Sequence, residues 1–173
     1  SSEIIFIAVG TPARRGDGHA DLKYVYEVAR EIGQNLNGYK LIVNKSTVPV
    51  GTAREVKRII KKVNKNALFD IASNPEFLRE GSAIDDFMNP DRIIIGVDSD
   101  SAEEKLKKLY SKLTDKGAPI LSTNLESSEL IKYASNAFLA TKISFINEIS
   151  HLSEITGGDI TQISKGMGLD KRI

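Results

Sequence analysis

A pair of carboxylates in the middle of the chain is its clearest candidate for chemistry. Glu76 and Glu80 lie between Asn74-Pro75 and Asn89-Pro90, directly before an apolar segment. Asn and Pro both favour turns. The two carboxylates are therefore predicted to sit on a constrained loop that could bind a polar ligand.

Glu76 has the neighbours expected of a general base. Phe77 and Leu78 would screen its carboxylate from water, and this desolvation would raise the pKa of Glu76 towards neutrality, where proton transfer is effective. Glu80 could serve as a ligand contact. The alternative is structural, because exposed acidic pairs are common and Glu80 could simply pair with Arg79 or a lysine.

A second candidate pair, Lys132 and Asn136, is predicted on a long helix. Four residues separate the two side chains, so they share one face of the helix, one turn apart. An ammonium beside a carboxamide can stabilise an alkoxide or another oxyanion. The competing interpretation is a solvated polar face, since both residue types are common on helix surfaces.

Alternating strands and helices are predicted to position these groups. The first strand is a solid apolar run that should be buried on both faces. Three amphipathic helices begin at Asp21, at a Thr52–Glu55 capping box and at a Ser101–Glu104 capping box, and an acidic loop follows the third strand. This alternation is typical of an α/β fold with a doubly wound parallel sheet. The predicted strands are residues 4–9, 41–43, 69–72, 92–97 and 119–121.

Polar segments that follow the strands are predicted to form a cleft. Open parallel sheets bind ligands outside the carboxyl ends of their strands. Each segment could be turn chemistry alone, but together they favour a binding cleft along one edge of the sheet. The segments are Gly10-Thr11-Pro12, Lys45-Ser46-Thr47, Asn74-Pro75-Glu76 and Thr123-Asn124.

The last fifty or so residues are predicted to differ from the rest. A capping box at Thr123 and Glu126 opens a long helix at residues 124–156, and a short helix follows at residues 159–166. Apolar residues on more than one face of the long helix predict that another domain or subunit covers it. We therefore expect two parts, residues 1–122 and residues 123–173.

Composition excludes several classes of function. With 173 residues, 40% hydrophobic and 27% charged, the chain is predicted to be globular, and its net charge of +1 makes nucleic acid a poor candidate. The longest apolar run is too short to cross a membrane, no signal peptide is visible and there is no cysteine, so we expect a cytoplasmic protein. His19 and His151 lack metal-ligand spacing. The loop aspartates Asp85, Asp86 and Asp91 resemble a solvated turn, so no metal site is predicted.

Six segments of the chain carry a family resemblance. They are VGTP at Val9–Pro12, KSTVPVGT at Lys45–Thr52, NPEFLREGSAI at Asn74–Ile84, PDRIIIG at Pro90–Gly96, SSELIKYASNAFLATKISFINEIS at Ser127–Ser150 and GLDKRI at Gly168–Ile173. Together they resemble the UDP-glucose/GDP-mannose dehydrogenase family over essentially the whole chain, and the PDRIIIG form is closer to its UDP-glucose 6-dehydrogenase branch.

The resemblance implies a fold and a reaction. Residues 1–122 would be the second half of a doubly wound, Rossmann-like NAD-binding domain, and residues 123–173 a central helical dimerisation region. The reaction would be a two-step, NAD-dependent oxidation of UDP-glucose to UDP-glucuronate. An aldehyde would be captured by a cysteine, oxidised to a thioester and hydrolysed. The long helix would form the core of a homodimer.

The resemblance also implies roles for individual residues. Glu76 would act in acid–base chemistry and thioester hydrolysis with Thr47 holding the water, and Lys132 and Asn136 would stabilise oxyanions. Arg172 would reach the substrate of a neighbouring subunit. NAD would contact Val9, Gly10, Thr11, Pro12, Ala13, Ser46, Thr47, Val48 and Glu80. The sugar nucleotide would contact Glu76, Phe77, Leu78, Arg79, Glu80, Lys132, Asn136 and Arg172.

Two features of the family do not occur in these residues. One is the Gly-rich turn that holds the NAD pyrophosphate at a helix N-terminus, and the other is the nucleophilic cysteine. We therefore expect a central fragment of a nucleotide-sugar dehydrogenase that is inactive alone. The alternatives are a non-catalytic dimerisation or split-subunit module, a related GDP-mannose or UDP-sugar dehydrogenase, and a hydroxyacid-type dehydrogenase that uses Lys132 and Asn136 in simple hydride transfer.

Overall fold

The structure, a computed structural model, describes residues 2–173. The chain forms two compact units, and the boundary along the chain lies between Tyr133 and Ala134. The described strands are β1 (Ile4–Ile7), β2 (Lys40–Asn44), β3 (Phe69–Ser73), β4 (Ile93–Val97) and β5 (Ile120–Thr123). The described helices are α1 (Lys23–Asn35), α2 (Thr52–Val63), α3 (Ala83–Met88), α4 (Asp100–Thr114), α5 (Leu125–Thr156) and α6 (Ile160–Met167).

The first unit contains one five-stranded sheet whose strands follow the order of the chain. β1, β2 and β3 are parallel to one another, and β4 is parallel to β5. The alternating strands and helices confirm the predicted α/β, Rossmann-like fold class. The expectation of an entirely parallel sheet is wrong, however, because β3 and β4 pair antiparallel. The connection between them contains only the six-residue helix α3, so no long helix returns the chain to the start of the sheet.

Hydrophobic clusters cover both faces of the sheet. Because strand side chains alternate between faces, Ile42 packs with α1 and α2, whereas Leu41 and Val43 pack with α4. The prediction that the first strand is buried on both faces is wrong at Phe6, which is 38% exposed. Phe6 is in register with Val43, and α4 covers that face mainly over β3, β4 and β5.

A distant residue caps the N-terminus of α2. Gly51 precedes the helix with φ +93°, and the backbone N–H groups of Gly51 and Ala53 donate to the carboxylate of Glu129 on α5, at 2.6 and 2.7 Å. The predicted Thr52–Glu55 capping box is wrong, because Thr52 is already the first residue of the helix.

Other helix starts also differ from the prediction by a residue or two. Ser99 caps α4 by accepting from the N–H of Ala102, so the predicted box at Ser101 is wrong. Asn124, rather than Thr123, accepts from the first turn of α5. Small polar residues cluster before these helices, and several of them could cap equally well by type. Local backbone geometry selects the one that does.

A short helix occupies part of the loop that was predicted to be irregular. α3 carries Asp85 and Asp86 in its first turn, where carboxylates complement the helix dipole. In the second unit, Asp159 caps α6 by accepting from the N–H groups of Thr161 and Gln162. Across residues 2–173, none of the helices combines the length and the apolar character needed to cross a bilayer.

A glycine allows α5 to approach the sheet closely, which leads to a first prediction. A Cβ atom on Gly96 of β4 would lie 2.5 Å from the Cβ of Ser128 and 2.8 Å from the carbonyl oxygen of Asn124. We expect Gly96→Ala to lower the free energy of unfolding by about 1–3 kcal/mol, the usual cost of overpacking. Gly166→Ala is the control, because a Cβ there meets no atom within 4 Å. Equal denaturant midpoints for the two variants would contradict the close approach.

Candidate functional site

The loops that follow β1 and β2 are hydrogen-bonded to each other at the carboxyl edge of the sheet. The N–H of Val9 donates to the hydroxyl of Ser46 at 2.9 Å, and the hydroxyl of Thr11 donates to the carbonyl oxygen of Thr47 at 2.8 Å. The structure therefore brings these predicted segments together. β5 runs antiparallel to β1, β2 and β3, but Ser73 is in register with Gly96 and Gly96 with Thr123, so Thr123 still lies level with the carboxyl end of β3.

Glu76, which follows β3, is the centre of the contacts at this edge. Its Oε1 atom lies 3.1 Å from the Nζ atom of Lys132 and 3.5 Å from the hydroxyl of Thr47. Its Oε2 atom accepts a 2.7 Å hydrogen bond from the N–H of Leu78. The Lys132 side chain is only 7% exposed, whereas that of Glu76 is 31% exposed. Lys132 is therefore almost excluded from water, whereas Glu76 can contact a ligand or solvent.

The electrostatic surroundings hold Glu76 in its ionised form. Burial raises the pKa of its carboxyl, but the N–H of Leu78 and the ammonium groups of Lys132 and Lys45 together outweigh burial and lower it. The predicted raised pKa is therefore wrong. Two lysines distant in sequence supply the opposing charge, and no neighbour along the chain indicated them. The carboxylate is ready to accept a proton at neutral pH.

Lys45 belongs to a segment that was predicted to line the cleft, but no role was predicted for its side chain. It follows β2, and its Nζ atom donates to Oδ1 of Asn74 at 3.2 Å. Asn74 is 1% exposed, donates to the carbonyl oxygen of Ile94 and accepts from the hydroxyl of Tyr110. Burial lowers the pKa of Lys45 to about 8, with Lys132 acting in the same direction and Glu76 against it. A charged residue directly after a buried strand, at the binding edge, was the signal available in the sequence.

An aromatic side chain lies between two cations beside the ion pair. The guanidinium of Arg92 lies 4.1 Å from the centroid of the Phe77 ring, and the Nζ atom of Lys132 lies 5.2 Å from it. These distances suit cation–π attraction, which orients the ring and the segment that follows Glu76.

The structure gives Glu76 and Glu80 different surroundings. Glu80 is exposed at the turn before Gly81, and among residues 2–173 its side chain makes no ion pair. Arg79 pairs with Asp86 of α3 at 2.6 Å, so the alternative in which Glu80 pairs with Arg79 is also wrong. Asp86 binds both the guanidinium and the backbone N–H of Arg79, and this closes the loop onto α3.

The remaining predicted residues fall into three groups. Pro12 and Ala13 are exposed in the loop after β1, and Leu78 is partly exposed beside Glu76. Val48 is buried in the hydrophobic core, so only its backbone can face a ligand. Asn136 and Arg172 belong to the second unit, where Asn136 is exposed on α5 and Arg172 pairs with Asp170 at 2.5 Å.

The loop after β1 has room for a cofactor. A Cβ atom placed on Gly10 would meet no atom within 4 Å, so a ligand can approach the backbone there. Ser46 and Thr47 fix the position of this loop through the hydrogen bonds to Val9 and Thr11. These residues fit the edge of a dinucleotide site. No cluster of three His, Asp or Glu side chains within residues 2–173 could hold a metal ion.

Comparison with known proteins gives a consistent family. Residues 1–114 match the NAD binding domain of the UDP-glucose/GDP-mannose dehydrogenase family, and residues 126–173 match its central domain. The chain is 56% identical to the UDP-glucose 6-dehydrogenase of Rhizobium meliloti and 55% identical to the UDP-glucose 6-dehydrogenase TuaD of Bacillus subtilis. All of this chain aligns with each of them, but it spans only 40% and 37% of their lengths.

A solved structure shows the same fold. The UDP-glucose dehydrogenase of the archaeon Pyrobaculum islandicum superposes with a TM-score of 0.94 at 45% sequence identity, over 99% of this chain and 40% of that protein. With two domain matches that cover most of the chain, the protein belongs to the UDP-glucose/GDP-mannose dehydrogenase family, whose NAD binding domain its first 114 residues match.

Proposed function

We propose that this chain contributes the NAD-binding and acid–base part of an enzyme that oxidises UDP-glucose to UDP-glucuronate. The observation that carries the proposal is the contact of Glu76 with both Lys132 and Thr47 at the carboxyl edge of the sheet. The names of the relatives support UDP-glucose as the substrate. Because the chain spans about 40% of those relatives, the complete reaction is proposed for the longer protein.

The geometry suits proton transfer next to a stabilised oxyanion. NAD, when bound against Gly10 and the Ser46–Val48 loop, supplies the hydride acceptor. The Glu76 carboxylate can take a proton from a hydroxyl or from a water held by Thr47. The Lys132 ammonium is almost excluded from solvent, so its attraction for an oxygen that gains negative charge is little weakened by water.

The other predicted site residues complete the proposal. Val9, Thr11, Pro12, Ala13 and Glu80 are proposed to line the NAD side. The segment from Phe77 to Arg79 is proposed to contact the sugar nucleotide, with Asn136 assisting Lys132. Arg172 is proposed to reach the substrate of a neighbouring subunit.

The domain boundary and a homodimer are also proposals. We propose a boundary at residues 122 and 123, which the two family matches at 1–114 and 126–173 support. We propose that α5 forms the core of a homodimer, because large apolar side chains of the second unit are exposed on more than one of its faces. They include Phe138, Leu139, Ile143, Phe145, Leu152 and Ile155.

The proposed homodimer predicts the effect of a charge on α5. Phe138 is 65% exposed, so Phe138→Glu should fold normally but place an unpaired carboxylate in the interface. We expect sedimentation equilibrium to show a dimer for the unchanged chain and about tenfold or greater weakening for the variant. Glu154→Gln, an exposed position on the same helix, should leave the dimer intact. A chain that stays monomeric at high concentration would contradict the proposal.

The proposed NAD site predicts a loss of binding without a loss of stability. The Cβ atom introduced by Gly10→Val would meet no protein atom within 4 Å, so we expect little change in the thermal midpoint and about tenfold weaker NAD binding by calorimetry. Gly166→Ala, on α6, should leave the NAD affinity unchanged. Equal NAD affinity in the unchanged chain and in Gly10→Val would contradict a site at this loop.

The same preparations test turnover with UDP-glucose and NAD. We expect no NADH absorbance from the chain alone, because a thioester route needs a cysteine and these 173 residues contain none. Measurable NADH would contradict that route. Turnover that appears only on adding a second polypeptide would favour the split-subunit alternative.

The burial of Lys45 predicts an unusual titration. In ¹³C NMR of labelled lysines we expect one resonance to titrate with a pKa of about 8, present in Lys171→Met but absent in Lys45→Met. The pKa is lowered on folding, so the folded state binds fewer protons between about 8 and 10.5. The contribution of Lys45 to the free energy of unfolding should therefore rise with pH across that window. A Lys45 resonance that titrates at the ordinary lysine value would show that the site is more hydrated than its geometry indicates.

A further inference from the structure

A buried carboxylate, Glu129, joins two elements that are distant in sequence. Its Oε2 atom accepts from the N–H of Gly51 at 2.6 Å and its Oε1 atom accepts from the N–H of Ala53 at 2.7 Å. Glu129 is 2% exposed, so both oxygens satisfy orphan donors of α2 away from bulk water. No side chain of α2 or its N-cap residue caps this helix start.

Each end of this contact leads to a group that touches Glu76. On the α2 side, the segment before Gly51 contains Thr47, whose hydroxyl lies 3.5 Å from Glu76. On the α5 side, Lys132 is three residues after Glu129, on the same side of the helix. Its ammonium lies 3.1 Å from Glu76. Glu129 thus closes a ring of contacts around the site without touching Glu76 itself.

We infer that Glu129 is a positioning residue that fixes Thr47 and Lys132 on either side of Glu76. Burial raises the pKa of the Glu129 carboxyl, whereas the two N–H groups and the positive end of the α2 dipole favour its ionised form. A neutral amide has one acceptor oxygen and cannot replace both contacts. Arg54 on α2 is the nearby opposite charge, and Glu126 on α5 and Tyr26 on α1 are the other titratable groups near Glu129. The inference rests on the proposed function only for the roles of Thr47 and Lys132.

The substitution Glu129→Gln separates positioning from simple capping. Glutamine keeps the volume of the side chain, but its NH₂ group would face one of the two N–H donors. If α2 and α5 then shift apart, the Lys132–Glu76 ion pair lengthens and the pKa of Glu76 rises towards its ordinary value. We expect a rise of about half a pH unit or more in the ¹³C NMR titration of Glu76, assigned with Glu76→Gln.

Two further variants make the result decisive. Ile60→Val creates a small cavity under α2 without touching Glu129, and should lower the thermal midpoint while leaving the Glu76 titration unchanged. Glu129→Asp keeps the charge but is one methylene shorter, so it should give an intermediate Glu76 pKa. It also provides the measurement if Glu129→Gln does not fold.

The outcomes are distinct. A lower thermal midpoint in Glu129→Gln with an unchanged Glu76 titration would overturn the inference and leave Glu129 as a helix cap. An equal rise of the Glu76 pKa in Ile60→Val would overturn it as well, because loss of stability alone would then be the cause. The titration needs neither NAD nor UDP-glucose, so failure of the proposed function would appear separately, in the calorimetry.

Discussion

The ion pair between Lys132 and Glu76 is the interaction around which the first unit is organised. Lys132 is nearly excluded from solvent, and a buried ammonium without a partner is strongly unfavourable. The start of α5 must therefore pack beside the Glu76 carboxylate, just after the end of β3. Glu129, one turn earlier on α5, is also buried, and its carboxylate accepts hydrogen bonds from the N-terminus of α2. Polar contacts, and not only apolar burial, set where this helix lies in the first unit.

The antiparallel pairing of β3 and β4 makes this arrangement possible. The chain leaves β3 at Ser73, passes through Glu76 and α3, and returns beside the carboxyl end of β3. The loop that carries Glu76 is thus held by structure on both sides. Arg79 is tied to Asp86 and Asn74 is tied to Ile94. Gly96 then leaves space for Ser128, which brings the first turns of α5 against the sheet.

Local sequence signals predicted most of the helices and strands, whereas contacts between residues distant in sequence decided the details of the site. Apolar periodicity predicted the five strands and the helices other than α3. It could not predict the direction of β4, because alternation of side chains is the same in both directions. Burial raises the pKa of Glu76, and the N–H of Leu78, Lys132 and Lys45 together lower it; only the fold brings the two lysines near. Glu129 resembled an ordinary polar helix residue until its partners on α2 were known.

The charges at this edge are difficult to explain by folding alone. Lys45 is buried at a cost, since burial lowers its pKa to about 8, and an apolar residue would avoid that cost. Instead, Asn74 and Tyr110 form a buried polar network that holds it in place. Two lysines then flank one carboxylate that stays ionised. A buried lysine whose charge burial disfavours, beside an ionised carboxylate that is open to a ligand, is the pattern expected where proton transfer and an oxyanion must be handled together.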